Sequence, residues 1–188
     1  YGVDTRALTI AIREGGMPHG VIAHAPDGVF DLEALKAQAR DWSGIVGLDL
    51  AKDASTLQPF EWSEGLWAWQ DGYVPLTDPK FNVVVIDYGV KRNILRSLAS
   101  IGAKVTVVPA KTSAEDVLAR KPDGVLLSNG PGDPEATGVY AEPEIRKIVD
   151  SGTPVFGICL GHQMLARALG AKTVKMEQGH HGANHPVK

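Results

Sequence analysis

One cysteine in 188 residues leaves no partner for an internal disulfide, which fits a reducing compartment. Aromatic residues are few, at 6%, and no apolar run approaches the roughly 20 residues that cross a bilayer. No signal-peptide pattern opens the chain. Basic charge is scarce as well: 19 Lys and Arg stand against 22 Asp and Glu, for a net charge of −3. A basic field for nucleic acid or anionic lipid is thereby excluded. Together these absences predict a cytoplasmic protein that binds neither nucleic acid nor membrane. With 44% hydrophobic and 22% charged residues, the chain reads as one large domain or one domain with an appended piece. It opens on Tyr1-Gly2-Val3 without Met and stops at Pro186-Val187-Lys188 as a new segment begins, so truncation at both ends is expected.

What is present alternates. Residues 1–25 predict a helix, capped by Asp4 or Thr5 and ended by Gly15-Gly16, and a short strand over 20–23. A second helix is expected over 31–40 with Asp31 as cap. Residues 41–80 are less regular and hold all four tryptophans, from Trp42 to Trp69. Trp67 and Trp69 alternate as on a strand, and packing onto the following domain is favoured over a partner-docking surface. Thr77-Asp78-Pro79-Lys80 reads as a linker, which places the domain boundary near Lys80.

From Phe81 onward strands and helices alternate strictly. Strands are expected at 83–86, 104–108, 124–127 and 153–158, and helices at 91–101, 114–120, 142–150 and 160–169. Continuous Val, Ile and Leu runs joined by helices predict a mostly parallel sheet covered on both faces, an α/β fold. Functional groups then belong at the carboxyl ends of the strands.

The stretch Phe156-Gly157-Ile158-Cys159-Leu160-Gly161-His162-Gln163 joins a strand to a helix. Glycines at i−2 and i+2 of Cys159 make a nucleophile elbow with sulfur in place of a hydroxyl. They let neighbouring backbone approach in a sharp, strained turn, and a helix N-terminus favours negative charge on the thiol. A lone cysteine can also be a small buried hydrophobe, but the flanking glycines and the strand-end position favour the nucleophile. At the same sheet edge Ser128-Asn129-Gly130-Pro131-Gly132-Asp133-Pro134 offers bare backbone at Gly130 and Gly132. The Leu160 amide and a glycine amide of this loop are candidate oxyanion donors, although the loop alone could be an ordinary turn. A thiol nucleophile needs a base. His162 follows Cys159 too closely, His19 and His24 are remote in sequence, and His180, His181 and His185 cluster near the end. No Cys or acidic partner accompanies that cluster at ligand spacing, which argues against a metal site. No triad is completed from these residues.

Cys159 in its Gly157-to-Gln163 setting, with Asn129-Gly130-Pro131-Gly132-Asp133-Pro134 upstream, resembles the class I triad glutamine amidotransferases. Within them, Tyr1-Gly2-Val3-Asp4-Thr5-Arg6-Ala7-Leu8-Thr9 and Asp87-Tyr88-Gly89-Val90-Lys91-Arg92-Asn93 resemble the small-subunit family of carbamoyl-phosphate synthases. The resemblance implies flavodoxin-like layering, with residues 1–80 the end of a small N-terminal α/β domain plus linker and 81–188 an incomplete amidotransferase domain. It implies glutamine hydrolysis to glutamate and ammonia through a Cys159 thioester. Gly130, Gly132, Leu160 and Gln163 would bind glutamine. Ammonia would pass to a large synthetase subunit, which uses ATP, bicarbonate and Mg to make carbamoyl phosphate for the arginine and pyrimidine pathways. No cofactor or metal is implied for this chain. The family's catalytic His and Glu, in a His-Pro-Glu motif, are not matched by His185-Pro186-Val187, so the 188 residues alone are expected to be inactive. An anthranilate-type amidotransferase is the alternative enzyme, disfavoured by the 80 residues ahead of the first strand. A non-catalytic docking module built on the tryptophan segment is the alternative outside enzymology.

Overall fold

The computed structural model describes residues 2–176, which form two compact units. The smaller holds the residues up to Gly44 and those from Val174 on; the larger is Ile45–Thr173. In the smaller unit, α1 (Thr5–Gly15) is capped by Asp4, which accepts from the Ala7 N–H at 2.9 Å, and ends at Gly16 with φ 85°. Helix α2 (Leu32–Asp41) is capped by Asp31 through the Ala34 N–H at 3.0 Å. The strand expected over 20–23 does not form: no neighbouring strand pairs with it among the described residues, and Ile22 is fully exposed. An extended run without a ladder partner leaves its backbone to water.

The larger unit begins with the short helix α3 (Ala51–Ala54), β1 (Phe60–Trp62) and the hairpin β2 (Glu64–Ala68) and β3 (Gly72–Pro75). It continues with β4 (Phe81–Asp87), α4 (Arg92–Ser100), β5 (Ala103–Pro109), α5 (Ala114–Leu118), β6 (Gly124–Leu127), α6 (Pro134–Asp150), β7 (Val155–Gly157) and α7 (Leu160–Ala168). The five-stranded sheet has the order β1-β5-β4-β6-β7, parallel except for β1. Counting only the parallel strands, the order is the doubly wound, flavodoxin-like one, and the strand order reverses between β4 and β6.

Both faces of the sheet are covered, which is why the strands read as unbroken apolar runs. Val84, Ile86, Val108, Val125 and Leu127 face α5, α6 and α7, packing against Val117, Ile145, Ile148, Leu160 and Met164. The alternate residues Val83, Val85, Val105, Val107 and Leu126 pack under Leu95 of α4, with Trp62 against them.

Two expectations need correction. Helix α6 starts at Pro134, not near 142, because Asp133 accepts from the Glu135 N–H at 2.8 Å and proline is tolerated in a first turn. The helix then runs through Pro143, held by Thr137, Ala141, Ile145 and Ile148 in the core. The larger unit itself begins at Ile45, ahead of the domain boundary expected near Lys80. Residues 45–80 belong to it, because β1 pairs with β5 and the Lys80 N–H donates to the Gly102 carbonyl at 2.8 Å. Packing of the tryptophans onto the sheet holds for Trp62 alone in this unit. Trp67 and Trp69 are 55% and 78% exposed and stack edge to face at 5.9 Å. Arg96 fills the space under the hairpin instead, 3.9 Å over the Tyr73 ring and 2.6 Å from Glu64. Among the described residues, no helix is long and apolar enough to cross a membrane.

Candidate active site

The elbow is built from backbone contacts. Strand β7 hands on through Ile158, whose N–H donates to Leu127 O at 3.0 Å. Cys159 then turns to φ 55° and ψ −111°, a conformation L-residues rarely hold, and caps α7 with its side chain exposed. Such strain costs about 1–3 kcal/mol and persists only where its surroundings over-determine it. They do so here. The Gly161 N–H donates to Ser128 O and Ile158 O, both at 3.0 Å. A Cβ on Gly161 would meet the Leu127 carbonyl, and one on Gly157 would lie 2.5 Å from the Gly161 carbonyl. Leu160 and Met164, fully buried, anchor the other side of α7 in the core. The thiol is therefore held outward by a helix that cannot roll.

The loop after β6 leaves the sheet at the switch point and is tied to β4. Ser128, fully buried, accepts the Tyr88 N–H at 2.9 Å and donates to Asn129 O at 2.8 Å. The Asn129 side chain donates to Gly89 O at 2.9 Å and accepts the Lys91 N–H at 3.1 Å. Gly130 is wedged so that a Cβ would strike the Tyr88 carbonyl and lie 2.9 Å from a Leu160 methyl. Gly132, at φ 96°, faces the opposite way, toward Leu48 O and Leu50 N.

The structure thus brings Cys159, Leu160 and Gly130 together at one sheet edge. Gly132 lies on the far side of the same loop. Gln163 sits one turn along α7, exposed, with its N–H on Cys159 O at 3.1 Å. No acceptor among the described residues takes the N–H of Leu160, Gly130 or Gly132. An outward thiol beside free N–H donors is the arrangement that acyl transfer requires.

His162 is exposed in the first turn of α7, three residues from Cys159. His19 and His24 belong to the smaller unit, and His180, His181 and His185 lie outside the described residues. Among the described residues, no group of three or more His, Cys, Asp or Glu is placed to hold a metal ion. Two of the better-formed concavities lie elsewhere: one of about 340 Å³ at Met17, His19, Ala39 and Arg40, another beside Trp62 and Lys104. Chemistry here is marked by backbone geometry rather than by depth.

Two parts of the site escaped the motif reading. Asp87, 5% exposed at the end of β4, accepts the N–H groups of Gly89 and Val90 at 2.9 and 2.7 Å on one oxygen. Its other oxygen accepts the Thr56 N–H at 2.8 Å. The signal was a charged residue closing an otherwise apolar strand. The segment 47–50 bonds the Gly132 loop and has no recognisable local pattern.

The family model for Glutamine amidotransferase class-I matches residues 84–188. A carbamoyl phosphate synthase small chain of Caulobacter vibrioides is 77% identical over 187 residues, covering all of this chain and 48% of that one. The small chain of Mesorhizobium japonicum is 65% identical over 187 residues, and that of Rhizobium meliloti 66% over 189, each covering all of this chain and 47% of its own. The chain spans about half the length of these curated relatives.

Proposed function

Because the chain belongs to the class I glutamine amidotransferase family, we propose that it is the core of a glutaminase that feeds ammonia to a carbamoyl-phosphate synthase. The carrying observation is Cys159, held at φ 55° on a helix start beside the free Leu160 N–H. In this reading the Cys159 sulfur attacks the side-chain amide carbon of glutamine. The oxygen becomes an oxyanion held by the N–H groups of Leu160 and Gly130. Collapse breaks the C–N bond, ammonia leaves carrying the proton that the thiol gave up, and a thioester remains. Water then cleaves the C–S bond, releasing glutamate and restoring the thiol. Gln163 and Gly132 complete the glutamine site, Gln163 directly and Gly132 by shaping the loop.

The small-chain names of relatives that match this chain from end to end support the carbamoyl phosphate assignment over an anthranilate-type amidotransferase. A large synthetase subunit is the partner, and it, not this chain, uses ATP, bicarbonate and Mg. The base and its orienting carboxylate belong to the half of the relatives' length that these residues do not span. We accordingly expect no turnover from the 188 residues alone, and assign residues 81–188 to the amidotransferase domain, with 1–80 the end of a preceding domain and its linker, of which 45–80 pack into the same compact unit as the parallel sheet. A cytoplasmic location fits a chain with a single thiol.

The test is ammonia release from glutamine by the full-length protein with its large subunit. Cys159→Ala is expected to abolish glutamine-dependent synthesis while leaving synthesis from free ammonia. Retained glutamine-dependent activity in Cys159→Ala would sink the assignment.

A further inference from the structure

We propose that residues 47–50 are a strap holding the oxyanion loop against the elbow, with Asp49 as its positioning residue; this rests on the glutaminase reading above. The strap lies outside the residues that the family model covers, yet it grips the loop reciprocally. The Gly47 N–H donates to Asp133 Oδ2 at 2.8 Å, and the Asp133 N–H donates to Leu48 O at 2.9 Å. Between these bonds Gly132 sits so close that a Cβ would lie 2.8 Å from both Leu48 O and Leu50 N. Asp49 fixes the strap to α6. One of its oxygens, Oδ1, accepts from the Thr137 hydroxyl at 3.1 Å, the Tyr140 hydroxyl at 3.3 Å and the Lys52 N–H at 3.4 Å. Thr137 is fully buried, so its hydroxyl depends on this acceptor. Burial, then the Asp49 charge and hydrogen bond, push the Tyr140 phenol up.

The loop is therefore held from two sides. The Tyr88–Gly89 turn backs Gly130, and the strap backs Gly132. The elbow is held at the sheet end of the loop, through Leu127, Ser128, Leu160 and Met164. Loosening the strap should shift the Gly130 donor relative to the thiol while leaving the thiol itself in place. A misplacement of about 1 Å can cost on the order of 100-fold in rate.

The experiment compares variants of the full-length protein. Asp49→Ala is expected to lower kcat for glutamine hydrolysis by roughly 10- to 100-fold, with KM changing far less. Asp49→Asn keeps the same acceptor oxygen and should restore kcat to within about twofold. Alkylation of Cys159 by iodoacetamide should proceed at the wild-type rate in both. Exchange of the Asp133 N–H should quicken in Asp49→Ala. Thr137→Val, which removes the matching donor, serves if Asp49→Ala folds poorly, and the double variant should add nothing to the larger single effect. Wild-type kcat in Asp49→Ala, unchanged exchange at Asp133, or alkylation falling in step with kcat would each overturn the strap. A wild-type protein lacking Cys159-dependent glutaminase would overturn the functional reading instead, and the exchange arm would then decide the strap by itself.

Discussion

At the scale of single residues, stability and the geometry proposed for catalysis oppose each other at Cys159. Its φ of 55° with ψ −111° suits glycine, and the strain is worth about 1–3 kcal/mol. Replacement by glycine would relieve it, at a cost of about 0.4–1 kcal/mol from the freer unfolded chain. The side chain is exposed, so little packing is lost. Cys159→Gly should therefore raise unfolding free energy by about 1 kcal/mol, read from urea denaturation, while the glutaminase activity proposed for the full-length protein should disappear. Gly161 is the converse case. An added Cβ would overlap the Leu127 carbonyl, a backbone atom that cannot rotate away. Gly161→Ala should destabilise by about 3 kcal/mol or more, and a drop much below that in urea titrations would mean the elbow is softer than its contacts suggest.

At the scale of elements, α5 and α6 are joined through one carboxylate. The Ala114 N–H, donating at 2.6 Å, and then the Lys147 ammonium hold the Glu144 carboxyl below the usual carboxylate range. A folded-state pKa below the unfolded value gives stability that is present above the unfolded value, about 4.3, and lost as pH falls through the lower, folded one. The stability gap between wild type and Glu144→Gln should be widest near neutral pH and should close on acidification, as followed by urea midpoints. The elements themselves were largely legible, because β4, α4, β5 and β6 carry apolar runs and periodicities that local propensity and tertiary packing both favour. Cys159, Leu160 and Gly130 were legible for a related reason: glycine spacing encodes close backbone approach. What escaped depends on distant partners. Strand β1 has three residues and exists only as a pair with β5, and α6 reaches back to Pro134 because its buried face pays for Gly138 and Pro143. Asp49 acts on groups up to 91 residues away, and such a separation leaves no trace in a local pattern.

At the scale of the whole molecule, the larger unit ends its sheet on β7, a three-residue strand with no described partner on its outer side. Phe156 lies on that strand, 65% exposed. Short edges limit pairing with other chains, but an apolar side chain on one invites it. Self-association of the 188-residue chain should be concentration-dependent, and Phe156→Lys should reduce it in sedimentation velocity; equal association of both would clear this edge. A different consequence follows from the placement of Trp42, Trp62, Trp67 and Trp69, all ahead of the parallel strands. Ultraviolet emission excited through indole reports only that leading stretch. Trp62, with its N–H on Glu64 O at 2.7 Å and Arg96 over its ring, should dominate the spectral shift when the hairpin lets go. Far-ultraviolet dichroism instead averages over every described helix, with α6 and α7 against the parallel sheet among them. A melting curve by emission that precedes the one by dichroism would mean the hairpin detaches before the parallel sheet unfolds.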